Sequence, residues 1–136
     1  MIDQSADVAK QVENVVEGTG KFIKPDLIVD SAQFGKKVGK HAQDFGLNPA
    51  LQSSRDFVRN HIDDIYTNAD EIRTGMWRGL GDVMENGNRA DGMANFFRKG
   101  NDVVVTDTAG NFVTILKDGA TQNTRFKGAE IIFGGN

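Results

Sequence analysis

No cysteine occurs among the 136 residues, which excludes a disulfide framework, a thiolate nucleophile and a cysteine zinc site. Proline is scarce, with two residues against sixteen glycines, so stiff linkers are not expected and tight turns and close backbone approaches are. No run approaches the roughly 18 apolar residues of a membrane span, and Met1-Ile2-Asp3-Gln4 lacks the basic and apolar regions of a signal peptide. A soluble chain is expected, although an opening Met before a helix-like segment also suits a piece of a longer, exported protein. Gly-x-Ser-x-Gly and His-Glu-x-x-His motifs are missing. The glycines at 75, 79 and 81 surround Trp77 with no predicted strand before them and no Lys-Ser pair after, so they form no phosphate loop. Common hydrolase and nucleotidase chemistries lose their support.

A surplus of positive charge is also lacking. The net charge is −3, and it resides in residues 1–30, where three lysines face six carboxylates; residues 31–136 carry thirteen charges of each sign. A neutral body cannot grip long nucleic acid by general phosphate neutralisation, so any such binding must rest on a local basic cleft.

What is present suits one domain with one core: 38% hydrophobic and 26% charged residues in a chain of this length. Val8, Val12, Val15 and Val16 give residues 3–17 the spacing of a short amphipathic helix. Pro25 interrupts the stretch from 22 to 29, and Asp30 or Ser31 can cap a new helix, so the boundary is placed near residue 30: 1–30 a linker, partly helical, and 31–136 the functional domain. Phe34, Val38, Ala42 and Phe45 form one helical stripe that Gly46 ends. After a turn at 47–50, Ser53 or Ser54 opens a second helix with Phe57, Val58, Ile62 and Ile65 on one face. Residues 68–92 read mostly as loop, and Met93 to Lys99 as a helical turn. Then β-branched runs at 103–106 and 112–117, parted by Asp107 to Asn111, predict a hairpin. A third strand is expected at 129–133 and a further one at 123–127. Helices followed by consecutive strands predict an α+β fold, with N-terminal helices packed on one face of a small antiparallel sheet of three to five strands.

Histidine is the side chain best suited to move a proton near neutral pH. His41 stands beside Lys37 and Lys40, with Lys36 about one turn away, a setting in which ammonium groups can hold a phosphate while the imidazole takes a proton. The same spacing fits a histidine on a solvated basic helix edge. His61, between Phe57, Val58 and Ile65, reads as a packing residue. The two histidines lack metal-ligand spacing and Asp63-Asp64 do not complete a set, so neither a metal nor another cofactor is expected. Thr114 interrupts an apolar strand; its hydroxyl either bonds a neighbouring strand or meets a phosphate oxygen. Trp77 either plugs the core or stacks on a base. Arg98, Lys99, Lys117, Arg125 and Lys127 are further cations near the predicted sheet.

The run Lys36-Lys37-Val38-Gly39-Lys40-His41-Ala42-Gln43-Asp44-Phe45-Gly46-Leu47, the segment from Arg55 to Ile65, Gly75-Met76-Trp77-Arg78-Gly79 and the strand pair from Asp102 to Lys117 resemble C-terminal toxin domains of bacterial polymorphic and contact-dependent growth inhibition systems. Those domains are similar to the fold group of the barnase, EndoU, colicin-type and RelE-type ribonucleases. The resemblance spans roughly residues 31–133. It implies helices on a four- or five-stranded antiparallel sheet and metal-independent cleavage of RNA, often transfer RNA. It also implies a cognate immunity protein and export as the C-terminal part of a larger surface or secreted protein that acts in the target-cell cytoplasm. The catalytic residues it implies are His41, Thr114 and Lys40, with Lys37, Lys117, Arg125 and Trp77 binding substrate. Because the body is not basic, a host protein that presents the transfer RNA is a further expected partner. Two other readings stay open: a non-enzymatic α+β adaptor in which His41 is incidental, and a toxin nuclease acting on DNA, for which no clear Asp/Glu-x-Lys cluster is found.

Overall fold

The computed structural model describes residues 22–135; the helix expected over 3–17 lies outside them. Asp30 keeps an extended backbone while its carboxylate accepts the Gln33 amide at 3.0 Å, and helix α1 runs from there over Ser31–His41. A 3-10 turn, Ala42–Phe45, tightens its end, and Gly46 at φ 74° stops it, since a left-handed residue there is easiest without a Cβ. Asn48 Oδ1 accepts the Ala50 amide at 2.9 Å and turns the chain into α2, Gln52–Thr67. Leu51, not a serine, occupies the cap position, and Ser54 is buried inside the first turn. Val58, Ile62, Ile65 and Tyr66 form the buried face. Phe57, expected on that face, is half exposed and stacks on the His61 ring.

Five antiparallel strands follow: β1 Glu71–Trp77, β2 Gly92–Lys99, β3 Asp102–Asp107, β4 Phe112–Leu116 and β5 Glu130–Gly134. Their order across the sheet is β4-β3-β2-β1-β5. The fold is therefore α+β. The expected β3–β4 hairpin is present, its turn tied by the Asp107 carboxylate, which accepts the Ala109 and Asn111 amides at 2.9 Å each.

Three local expectations are corrected. Residues 71–77 are not loop but β1, the strand between β2 and β5. Its charged residues hid it: the nearly buried Glu71 carboxylate accepts from Arg73 Nε and Arg98 Nε at 2.6 Å each, so polar positions in this strand are paired rather than solvated. Residues 93–99 form β2, not a helical turn. Phe96 packs on one side of the sheet and Phe97 on the other, and a strand buried on both faces loses the alternation that marks strands. Residues 123–127, expected as a strand, hold a helical turn. Short helices α3, Gly119–Gln122, and α4, Thr124–Lys127, cross between β4 and β5, with the Asn123 side chain capping α4. β5 consequently pairs with β1, not with the hairpin.

The core has two layers. On one face Ile72, Phe97, Val104, Phe112 and Ile115 pack against Val38, Ala42, Val58, Ile62, Ile65 and Tyr66 of the helices. On the other, Trp77, Ala94, Phe96, Val103 and Val105 are covered by Phe126, Leu80, Ala120 and Ala129. Each fully buried Phe, Ile or Val contributes about 1.5–3 kcal/mol relative to exposure. Helix α1 also guards the outer edge of β4, where Gln33 Nε2 donates to the Val113 carbonyl at 2.6 Å. Upstream, the packed unit reaches past residue 30. Phe22 meets Phe97 at 6.4 Å between ring centroids, Leu27 and Val29 join the helix-side core, and Ile28 bridges to Asn111. Among the described residues no helix is long and apolar enough to cross a membrane.

Candidate functional site

Where α1 ends beside the end of β4, the surface opens into a cleft of about 140 Å³. One wall is His41, the last residue of α1, and Asp44 of the 3-10 turn; the other is Leu116 and Lys117 at the exit of β4, with Gly119 and Gln122 at the two ends of α3 and Asn123 just past it. Three residues of helical path bring His41 and Asp44 onto one side, and His41 Nδ1 lies 3.0 Å from Asp44 Oδ2. An ionised carboxylate only accepts, so Nδ1 carries the hydrogen, and in the neutral ring Nε2 keeps its lone pair. The His41 side chain is 16% exposed, sheltered yet accessible.

Lys117 follows β4 directly, with its ammonium 3.3 Å from Asp118 Oδ2 and 6.0 Å from the centre of the Phe45 ring. Asp118 has φ 57°, the one non-glycine with a positive φ among the described residues. Asp is one of the few residues with a Cβ that adopt this region readily. The Asn123 carboxamide oxygen is occupied in capping α4, accepting the Phe126 amide at 3.0 Å. Its NH₂ end is the part left to face a ligand.

A cationic patch lies along α1 on the approach to His41. Partial burial, then Lys40, Lys36 and Arg78 in that order, hold the Lys37 ammonium below the usual lysine range. Arg78, just past β1, is thus close enough to act on a lysine of α1. The ion pairs among the described residues engage Arg59, Arg73, Arg98, Lys99, Lys117 and Arg125 but none of these four cations. Concentrated positive charge without carboxylate partners among the described residues favours an anion.

The residues singled out from sequence do not all gather here. His41 and Lys117 line the same cleft, and Lys40 is exposed beside His41. Thr114 shares its strand face with Leu116, about 7 Å away by the ordinary strand rise. Its Oγ1 is buried without a hydrogen-bond partner among the described residues, so the bond to a neighbouring strand is not made. Trp77 and Arg125 belong to another part of the molecule. Trp77 is buried, edge-on to Phe96 at 5.9 Å. The Arg125 guanidinium sits 5.9 Å from the Trp77 ring and donates to Asp91 Oδ2 at 2.9 Å and the Met76 carbonyl at 3.1 Å. Trp77 plugs the core, as one of its two readings had it.

Asp44, Arg78, Gln122 and Asn123 went unnoticed in sequence. The His-x-x-Asp spacing at 41 and 44 was the available signal; the others meet the site only through tertiary structure. His61 is more than packing: its Nε2 donates to Asp102 Oδ2 at 2.8 Å. Among the described residues no three His, Asp or Glu side chains come together as a metal ion would require. The arrangement can take a proton at His41 Nε2 and hold an anion at Lys117, with the α1 lysines next to it. Comparison of the chain with protein families, curated proteins and solved structures gives no match.

Proposed function

We propose that this chain is the toxin domain of a bacterial competition system, a metal-independent ribonuclease acting on RNA, most naturally transfer RNA. The observation that carries this reading is the His41–Asp44 pair opening onto a cleft with Lys117 opposite. His41 Nε2 takes the proton of a ribose 2′-hydroxyl; the 2′-oxygen bonds to phosphorus and the bond from phosphorus to the 5′-oxygen breaks. The leaving oxygen takes a proton from solvent, and the products are a 2′,3′-cyclic phosphate and a 5′-hydroxyl. Asp44 fixes the tautomer and supports the imidazolium that forms, while Lys117, Lys37 and Lys40 offset phosphate charge.

The near-neutral body leaves little affinity for RNA outside the cleft, which suits a host protein that presents the transfer RNA. It also suits an acidic immunity protein that covers Lys117 and the α1 lysines by charge complementarity. Export within a larger protein completes the reading. The decisive experiment is expression without the immunity protein, with total RNA resolved on a denaturing gel. RNA should be cut to 2′,3′-cyclic phosphate ends, undiminished by EDTA. His41→Ala should lower the rate about 100- to 10,000-fold with the fold retained, the usual loss on removing a general base. Intact RNA and unimpaired growth would make the domain a binding module, and chelator-sensitive cleavage restored by magnesium would overturn the mechanism.

A further inference from the structure

We infer that His61 is a positioning residue that braces both walls of the cleft, setting Lys117 against the His41–Asp44 pair; this rests on the function proposed above. His61 projects from the middle of α2 and reaches two different turns. Its ring meets Phe45 edge-on, with centroids 5.5 Å apart, and Phe45 directly follows Asp44 on the 3-10 turn. Phe57 stacks against it at 5.9 Å, so the ring packs on two aromatic neighbours. Through Nε2 it donates to Asp102 Oδ2 at 2.8 Å, and the second oxygen of that carboxylate, Oδ1, accepts the Asp118 amide at 2.9 Å. Asp118 directly follows Lys117 and is the residue held at φ 57°.

One imidazole therefore connects the turn that carries Asp44 to the turn that carries Lys117. The left-handed conformation of Asp118 is uncommon for a residue with a Cβ, although Asp adopts it more readily than most, and its amide is tied at 2.9 Å to the Asp102 carboxylate. The Asp102 carboxylate supplies that restraint, and a partly buried carboxylate is itself held by its histidine donor. Lys117, a long flexible side chain, gains a defined origin for its ammonium from a fixed backbone turn. A histidine that merely filled the core would not need a carboxylate that also ties the turn at the cleft.

The test is a double-mutant cycle with His61→Phe, which keeps an aromatic ring against Phe45 and Phe57 but deletes the hydrogen bond to Asp102. Binding of uridine 3′-monophosphate and amide hydrogen exchange are followed by NMR on the folded full chain. His61→Phe should weaken the nucleotide about tenfold and speed exchange at the Asp118 amide by a similar factor. Lys117→Ala alone should also weaken binding, and adding His61→Phe to it should weaken it no further, because His61 acts through Lys117. Additive losses, nucleotide affinity equal to the parent, or an unchanged Asp118 exchange rate would each overturn the brace. If the parent binds no nucleotide, the exchange rate at Asp118 alone decides. Ribonuclease activity is read separately: a coupled cycle in a chain that leaves RNA intact sinks the proposed reaction and keeps the brace, and cleavage with an additive cycle does the reverse.

Discussion

Thr114 is the residue whose environment contradicts its chemistry. A buried hydroxyl without a partner forfeits its hydration, about 1–3 kcal/mol, and valine has nearly the same shape. Thr114→Val should therefore raise the melting temperature, as read by circular dichroism, while reducing RNA cleavage if the hydroxyl meets substrate. A variant that is both more stable and fully active would leave Thr114 without a part in the reaction. Asn123 invites the complementary substitution. Asn123→Asp retains a side-chain oxygen to cap α4, since Asp and Asn cap about equally, but replaces the NH₂ donor with negative charge. Stability should stay near that of the parent while affinity for uridine 3′-monophosphate falls; unchanged affinity would show that this carboxamide does not face the ligand. At this scale the sequence was uneven. His41 and Lys117 stood out because charge and imidazole are visible as letters. Trp77 and Arg125 stood out for the same reason and yet lie together at a buried ring and an ion pair with Asp91, because residue type carries no information about which loop folds over it.

Gly110 ties two elements that look unrelated along the chain. It adopts φ 96°, and a Cβ there would lie 2.3 Å from the Asp26 carbonyl oxygen. Its own carbonyl accepts the Ile28 amide at 2.9 Å. Gly110→Ala should destabilise the domain by about 1–2 kcal/mol from the left-handed backbone alone. It should also push residues 25–28 off the hairpin, exposing the Ile28 and Phe112 amides to faster exchange; a urea midpoint equal to the parent's would show that the segment is not docked there. The elements that sequence revealed, α1, α2 and the β3–β4 hairpin, each have one buried face or a turn with side-chain ties, so their periodicity survived. Strands β1 and β2 were lost for opposite reasons. Glu71 and Arg73 made β1 look like a solvated loop although they neutralise one another, and apolar residues on both faces of β2 erased its alternation. Residues 123–127 reversed from strand to helix because the cap at Asn123 and the burial of Phe126 outweigh a weak local preference.

Across the whole molecule, the stretch 22–30 looks from its acidity and Pro25 like a linker, yet its side chains complete the helix-side core. Sequence-local charge cannot reveal this, because the contacts are with residues forty or more positions away. Lys24 is the clearest case. Its ammonium donates to the Tyr66 carbonyl at 2.6 Å at the end of α2 and lies 5.1 Å from the centre of the Tyr66 ring. Burial lowers its pKa from 10.5 to about 8. Between those two values the unfolded chain binds a proton that the folded chain has released, so this group's contribution to stability rises with pH, from its lowest below pH 8 to its full value above 10.5. Tyr66 acts with the opposite sign. Burial first, and Asp26 second, raise its hydroxyl above the ordinary 10.0, so the unfolded tyrosine ionises before the folded one and stability falls as pH rises past 10. The two together predict a local maximum near pH 10, measured as the urea midpoint against pH. Comparison with single variants isolates each limb: Lys24→Met should lose the rise between 8 and 10, and Tyr66→Phe the fall above it. A parent curve that runs parallel to that of Lys24→Met throughout would mean that residue 24 is solvated in the folded protein, and that the 22–30 segment does not close the core.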